Sequence, residues 1–219
     1  MTDKHKVFTV RRLFRCDSEI VGRCYEEFDF LHFNPVGKSR IESIFAQGQI
    51  WGAFDGDKII ACSYMLRADA PFFTQLDAYW EISDLLDDSL EDFLVAGYVW
   101  IDSEYRDYPV YAAMSKLWNI TAMKKGLGKV LHCVPAHIYF SMGELFESGF
   151  LLCGLRGLDK LVPHYIFVKE TGLEKTEYAI TDVKSCLLSD TKEISRLCEK
   201  GYRGFYTDGK QKIDFTYRR

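Results

Sequence analysis

With 219 residues, 47% of them hydrophobic, the chain is long enough to bury a core as one large domain or as one domain with an appendage. Its formal net charge of -4 argues against wholesale nucleic-acid binding, which normally needs a basic face, so no nucleic-acid partner is expected. The sequence has no apolar run of about eighteen residues and no signal-peptide core after its first residues, so we expect no membrane association and a cytoplasmic location.

The first half of the chain predicts a strand, two helices and a hairpin. Alternating apolar residues indicate the strands, an Asp-Ser-Glu cap begins the first helix, and an Asp-Gly turn closes the hairpin. Residues 69–92 are acidic and aromatic and are interpreted as a loop beside the functional site of the protein. In chain order the elements are a strand over Val7–Leu13, a helix from Asp17 through Phe30, a short helix over Arg40–Phe45, and strands over Gln49–Phe54 and Lys58–Leu66.

The central segment alternates strands and helices. An apolar run over Leu94–Ile101 leads into the turn 102–106 and then into a helical pattern, which is typical of a strand that feeds a helix. A second apolar strand, Val130–Val134, precedes a short helix that ends in Glu144–Phe150. This alternation within one compact length favours an α/β fold over an all-β fold. Two further strands are predicted, over Leu151–Leu155 and His164–Lys169.

These segments together resemble the core of a GCN5-related N-acetyltransferase (GNAT). The resemblance rests on the hydrophobic strand that ends in an acidic-aromatic-Arg turn and on the segment Glu144–Phe150. It implies an α/β fold with a mixed central β-sheet flanked by helices over residues 1–170. It also implies that an acyl group moves from acetyl-CoA or another acyl-CoA, as co-substrate, to the amine of a small-molecule or amino-acid-like acceptor by direct attack.

Residues 171–219 form an extension that a minimal GNAT domain does not need. Its pattern predicts a strand, a helix that Asp190 caps, and a hairpin around Asp208-Gly209. The extension could pack on the core, cover the acceptor site or form a homodimer contact, and nothing in its residues selects among these. The predicted elements are a strand over Tyr178–Leu188, a helix through Lys200, and strands over Arg203–Tyr206 and Ile213–Tyr217.

The resemblance places the acyl-CoA site at the end of the central strand and in the turn after it. The family pattern Arg/Gln-x-x-Gly-x-Gly/Ala lets bare backbone N–H groups approach the pyrophosphate closely. Here Arg106 is retained, but Pro109 and Tyr111 occupy the glycine positions. Proline lacks an N–H and tyrosine adds bulk, so a modified acyl-CoA site and a helix cap that no longer binds CoA are both open. The implied contacts are backbone groups of Val99, Trp100 and Ile101 for the pantetheine, and Arg106, Asp107, Tyr108, Val110 and Tyr111 for the pyrophosphate.

The general acid is the second departure from the family. The tyrosine that commonly protonates the leaving thiolate aligns with Phe146, which has no proton to donate. General acid catalysis contributes about 10²–10⁴-fold, so another group or a water would have to replace it. Ser141, Cys133 and Tyr139 are close in sequence, and Tyr139 has the most suitable chemistry.

The resemblance implies that a carboxylate or a water chain near the central strand is the base for the acceptor amine. Glu81, Asp102 and Glu104 are the candidates. Glu104 falls in the turn, where an acid more commonly caps a helix. Glu81 is favoured because its neighbours Trp80 and Ile82 are apolar and would suit a base if they bury it.

Other chemistries find little support in the sequence. The seven cysteines are scattered without a C-x-x-C pair, and no two histidines have the i, i+4 spacing of a helical metal site, so no metal is predicted. Two rival functions remain open. One is a GNAT-like domain that uses a carrier-protein or aminoacyl-tRNA donor, and the other is a non-catalytic ligand-binding or regulatory module.

Overall fold

The computed structural model describes residues 7–217 except for seven internal stretches, 33–37, 75–80, 87–88, 137–141, 158–162, 174–181 and 209–211. The strands are β1 (Thr9–Leu13), β2 (Gly48–Asp55), β3 (Lys58–Arg67), β4 (Phe93–Ile101), β5 (Lys129–Pro135), β6 (Leu151–Arg156), β7 (His164–Glu170), β8 (Lys184–Leu187), β9 (Tyr202–Thr207) and β10 (Lys212–Tyr217). The helices are α1 (Ser18–His32), α2 (Lys38–Gln47), α3 (Val110–Lys124), α4 (Met142–Glu147) and α5 (Thr191–Glu199). None of these helices is long and apolar enough to cross a membrane.

The ten strands form one mixed sheet in the order β1-β2-β3-β4-β5-β7-β6-β9-β10-β8. The neighbouring strands are antiparallel except β4 and β5, which are parallel and are connected through α3. A parallel pair needs a crossover of this kind, because its strands run in the same direction. The α/β fold and the order of elements up to β7 that the sequence predicted are confirmed.

Helices cover both faces of the sheet, and the alternation of β4 shows how the sequence specifies this. Phe93 and Val95 pack with the apolar residues of α1 and α2, whereas Leu94 and Ala96 pack with Trp118 of α3. Successive side chains of a strand point to opposite faces, so a continuous apolar run is what a strand buried on both faces requires. The first half of β4 thus lies inside the molecule between two packed layers.

The C-terminal extension continues the sheet and shares its core. β9 adds beside β6 at Leu152 and Gly204, where a Cβ on Gly204 would lie 3.0 Å from the Leu152 Cβ. Ile194 and Leu197 of α5 belong to the same apolar cluster as Trp118. The Asp190 cap is confirmed, since its carboxylate accepts the Glu193 N–H at 3.0 Å. Of the three roles left open by the sequence, the structure shows packing on the core.

The predicted strand over Tyr178–Leu188 is described only in part. Residues 178–181 lie outside the described residues, and the observed strand β8 is Lys184–Leu187. The hairpin strands correspond to β9 and β10, although Gly209 of the predicted turn also lies outside the described residues. The boundary at residue 170 between a core domain and an extension stays a prediction.

Truncating Ile194 to valine is expected to lower the stability of the whole chain. Ile194 is fully buried between α5 and the sheet, and loss of one buried methyl group costs about 1 kcal/mol. Urea unfolding followed by fluorescence and by circular dichroism should give one shared transition with a lower midpoint. The control is Lys192→Ala on the exposed side of α5, for which we expect a change within about 0.5 kcal/mol. Two separate transitions, only one of them shifted, would show that the extension folds independently.

Candidate functional site

The parallel strands β4 and β5 separate inside the sheet. They pair from Phe93 with Lys129 to Ala96 with His132, and β5 then continues only beside β7. Beyond Ala96, β4 stays paired with β3 on its other side. Among the described strands, none pairs with the β5-facing edge of 97–101, so this edge borders an opening in the sheet.

A β-bulge in β4 starts at the same point. Met65 of β3 pairs with Ala96 and Ser63 pairs with Val99, so two residues of β4, Gly97 and Tyr98, oppose Tyr64 alone. The extra residue bends the strand and shifts its alternation. As a result Tyr98 shares the face of α1 and α2, whereas Val99 packs toward α3.

Glycine at position 97 is required by the packing of Tyr64. A Cβ built on Gly97 would lie 2.0 Å from Cζ of the Tyr64 ring, far inside any real contact distance. The ring is itself held edge-on by Phe72, at a centroid distance of 6.2 Å. Tyr64 therefore lies directly over the bulge and forms one wall of the opening.

A pocket lies at the opening, on the face of α1 and α2. Its empty volume, open solvent at the mouth included, is about 470 Å³. Both separating strands contribute to it, and the Tyr98 hydroxyl lies 2.7 Å from Nε2 of His164 within it. The lining residues are Tyr64, Phe73, Ile82, Val95, Ala96, Gly97, Tyr98, Cys133, His164 and Ile166.

On the opposite face, His132 fills the point where the strands separate. Its Nδ1 lies 2.8 Å from the Ala96 carbonyl oxygen, which can only accept, so Nδ1 carries the proton. Its Nε2 then accepts the Tyr111 hydroxyl at 2.6 Å. Burial lowers the pKa of His132 to about 4, although the Ala96 hydrogen bond acts in the other direction. The neutral imidazole, with one hydrogen bond at each ring nitrogen, stabilises the separation of the strands.

Charged groups hold the turn after β4 in place. Lys58 lies 2.9 Å from both Asp102 and Glu104, and the Tyr105 hydroxyl donates to Asp55 at 2.5 Å. Burial alone would raise the pKa of Asp102, but the hydrogen bonds from Lys58 and from the Glu104 N–H outweigh it and lower that pKa. Asp102 and Glu104, both candidate bases by sequence, are thus engaged in positioning the turn.

The predicted pyrophosphate loop leads directly into α3. Arg106 and Asp107 are exposed, Pro109 is the N-cap without a capping side chain of its own, and the Ala112 N–H in the first turn donates to the Glu144 carboxylate. Tyr111 is 4% exposed and packs edge-on against Trp118, so its bulk points into the core and not into the loop. Tyr111 therefore does not block the approach of a pyrophosphate to the backbone, whereas Pro109 still supplies one N–H fewer than glycine would.

The two predicted catalytic residues fare differently. Glu81 is exposed, with a left-handed φ of 53° and with its carbonyl accepting Nε of Arg156 at 3.0 Å. The burial on which its choice as a base depended is not observed, since Ile82 lines the pocket but Glu81 does not, and Trp80 lies outside the described residues. The role of Glu81 as the base stays a prediction. Tyr139 lies outside the described residues, as does Ser141, so the general acid stays a prediction. Phe146 is buried against Phe167, with ring centroids 5.6 Å apart.

Solved structures of acetyltransferases share this architecture. The ribosomal-protein-S18-alanine N-acetyltransferase from Escherichia coli matches with a TM-score of 0.56 at 12% identity, covering 78% of this chain and 99% of that chain. An acetyltransferase of the GNAT family from Streptococcus pneumoniae matches with a TM-score of 0.55 at 10% identity, covering 76% and 100%. This protein has the GNAT fold.

A third GNAT-fold neighbour was solved with a ligand. It is a putative acetyltransferase from Salmonella typhimurium with its cofactor acetyl-CoA, and it matches with a TM-score of 0.56 at 10% identity, covering 80% of this chain and 98% of that chain. By sequence, no family model matches the chain and no curated protein matches it. The GNAT fold of this protein is therefore visible in its structure and not in overall sequence similarity.

The sequence did not single out the most polar feature of the pocket in this GNAT fold. Tyr98 stood among aromatic residues of the strand and His164 among dispersed histidines, 66 positions apart in the chain. A histidine that follows a proline and begins a predicted strand, as His164 does, is a weak signal for a functional site. Only the sheet order, which places β7 next to β5, brings the two side chains together.

Proposed function

We propose that the protein is an acyl-CoA-dependent N-acyltransferase that moves an acetyl or other acyl group to the amine of a small-molecule or amino-acid-like acceptor. The observation that carries this proposal is the opening between β4 and β5, where none of the described strands pairs with the β5-facing edge of 97–101 and an apolar pocket lies behind it. The fold supports it, since a structural neighbour carries acetyl-CoA. An opening of this kind lets a thioester reach a buried acceptor from the opposite face.

The residues present suit an acyl-CoA as donor substrate. The strand edge offers backbone groups of the kind that would hold a pantetheine, and Arg106 lies exposed before α3, where a phosphate would bind. In the first turn of α3 the Val110 N–H already donates to the Tyr108 carbonyl at 2.7 Å, and the Ala112 N–H donates to the Glu144 carboxylate. The bulk of Tyr111 does not obstruct that helix end. In this proposal Val99, Trp100 and Ile101 hold the pantetheine, and Arg106, Asp107, Tyr108, Val110 and Tyr111 surround the pyrophosphate, chiefly through their backbone.

Catalysis in this proposal depends on proximity and on backbone polarity. The acceptor nitrogen attacks the thioester carbonyl within a ternary complex, and N–H groups of the β4 edge polarise the carbonyl oxygen. No covalent intermediate on the enzyme is needed. The general acid that protonates the departing thiolate is the predicted Tyr139 or a water.

Calorimetric titration with acetyl-CoA and with free CoA at moderate salt tests the proposal. Micromolar binding of both ligands is expected, and it would be followed by an acceptor screen that measures thiol release. Absence of binding at millimolar ligand would overturn the proposal. It would leave the carrier-protein or aminoacyl-tRNA donor, or a non-catalytic ligand-binding module, as the better reading.

Replacing Arg106 with alanine is expected to weaken CoA binding about tenfold. A charge-assisted hydrogen bond to phosphate contributes about 1.5 kcal/mol, and an exposed charge loses part of this as salt rises. The loss should therefore be largest at low ionic strength, as calorimetry in two salt concentrations would show. The matched control is Arg196→Ala, which removes an exposed arginine that pairs with Glu193 within α5. Equal affinity of the Arg106 variant and the wild type would remove the phosphate role.

A further inference from the structure

We infer that Tyr98 and His164 form the proton-accepting pair of this site, and that the acceptor is an amine on an apolar body. The inference rests on the proposed function and names the base and the acceptor class for it. It replaces Glu81, whose side chain is exposed and does not line the pocket, with groups that do.

In this pair His164 is buried in the sheet, and Tyr98 connects it to the pocket. His164 is 3% exposed and lies between Pro135 of β5 and Arg156 of β6 in the sheet. Tyr98 is half-buried and reaches it from β4, with 2.7 Å between the hydroxyl oxygen and Nε2. The bulge at Gly97 is what turns Tyr98 to this face, so the opening for the thioester and the position of the phenol have one cause.

Among the described residues, the other groups around the pair offer no stronger base at neutral pH. The ionisable groups that line the pocket beside it are Tyr64 from β3 and Cys133 from β5. From β6, Arg156 neighbours His164 but directs Nε to the Glu81 carbonyl. An imidazole is the side chain whose charge ordinarily changes between pH 5 and 8, which suits the removal of a proton from an ammonium.

The lining predicts the chemical class of the acceptor. None of the ten described lining residues is Asp, Glu, Lys or Arg, and most of the wall is aromatic or aliphatic. A second charge on the acceptor would be desolvated there without a partner, whereas an apolar body gains about 25 cal/mol for each Å² removed from water. An arylalkylamine therefore fits better than lysine or a polyamine.

The Tyr98 oxygen takes one proton from the acceptor ammonium as the Tyr98 hydroxyl proton passes to Nε2 of His164, and the imidazolium later releases that proton to solvent. The freed amine lone pair forms the C–N bond to the thioester carbonyl carbon. The C–S bond then breaks as the general acid of the proposed function protonates the departing thiolate, and the second proton on nitrogen restores that acid. The products are the amide, the CoA thiol and one solvent proton.

The test is acetyl transfer from acetyl-CoA to phenylethylamine, followed by thiol release across pH. At neutral pH, Tyr98→Phe and His164→Asn are each expected to lower kcat about 10²-fold. Near pH 10 the amine is already largely deprotonated, so the difference from wild type should shrink toward onefold. Acetyl-CoA affinity should stay unchanged, and lysine should be acetylated at least tenfold less efficiently than phenylethylamine.

The control is Tyr165→Phe, one residue from His164 on the same strand but on the opposite face, where its hydroxyl donates to the Leu188 carbonyl at 3.2 Å. It should keep wild-type rates at every pH. Tyr98→Phe keeps the ring and so stays informative if His164→Asn folds poorly.

Four results would overturn the inference. The first is a kcat of the Tyr98 and His164 variants equal to that of the Tyr165 control, and the second is a loss of kcat that does not shrink at alkaline pH. The third is a loss of kcat in Glu81→Gln but not in these variants, and the fourth is acetylation of lysine as efficient as that of phenylethylamine. Acetyl-CoA binding without transfer to phenylethylamine would also overturn it and leave the proposed function standing. Absence of acetyl-CoA binding would overturn the proposed function itself.

Discussion

Replacing Gly97 with alanine is expected to destabilise the protein by about 3 kcal/mol and to close the pocket. The new Cβ would lie 2.0 Å from the ring of Tyr64, which is buried and cannot rotate away because Tyr25 and Phe72 pack against it. Overpacking of this kind typically costs 1–3 kcal/mol, occasionally more, and here a rigid aromatic ring must shift. The ring would move into the pocket that it lines.

Two measurements check this expectation. Urea unfolding should show a lower midpoint, and thiol release should fall with any acceptor that the wild type uses. Gly22→Ala in α1 is the control, because the nearest side-chain atom to its built Cβ is 4.0 Å away. Alanine in a helix is favoured over glycine, so this control should gain about 0.5–1 kcal/mol. Wild-type stability in the Gly97 variant would mean that the close approach of Tyr64 is not required.

The stability of the wild type is expected to fall by about 2 kcal/mol between pH 7 and pH 5 through His132 alone. Burial lowers the pKa of His132 to about 4 in the folded chain, against about 6.5 in the unfolded chain. The unfolded chain therefore binds a proton that the folded chain excludes. The associated stability is complete above pH 6.5 and is lost as the pH falls toward 4, because each pKa unit corresponds to 1.36 kcal/mol.

The matched variant is His132→Gln. Its amide can donate to the Ala96 carbonyl and accept from the Tyr111 hydroxyl, as the neutral imidazole does, but it does not titrate. Free energies of unfolding at pH 7, 6 and 5 should diverge between the two proteins by about 2 kcal/mol at pH 5. Parallel pH profiles would show that His132 binds a proton as readily in the folded chain as in the unfolded chain, so that its pKa is not lowered. The pH range from 7 to 5 lies above the range in which Asp102 would titrate, because the pKa of that paired carboxylate is lowered.

These two residues show what the sequence could and could not predict at the site. Gly97 can be seen within the apolar run, but glycine is required there because the Tyr64 ring of the neighbouring strand β3 packs over it. His132 sits in a recognisable strand pattern, but its tautomer depends on a carbonyl of β4 and a hydroxyl of α3. Glu81 was favoured through apolar neighbours in the chain, yet its side chain is exposed, because adjacency in sequence does not determine burial in a loop.

Local patterns alone determined the elements of this protein. Apolar periodicity separated strands from helices, Asp-Gly pairs located the hairpins, and Asp190 located the start of α5, because each of these signals acts within a few residues of the backbone. Only the tertiary structure decided that β4 separates from β5 at a bulge, that Tyr111 points into the core, and that Tyr98 meets His164. Those contacts join residues distant in the chain, and their geometry follows from how strands and helices pack, which no local pattern encodes.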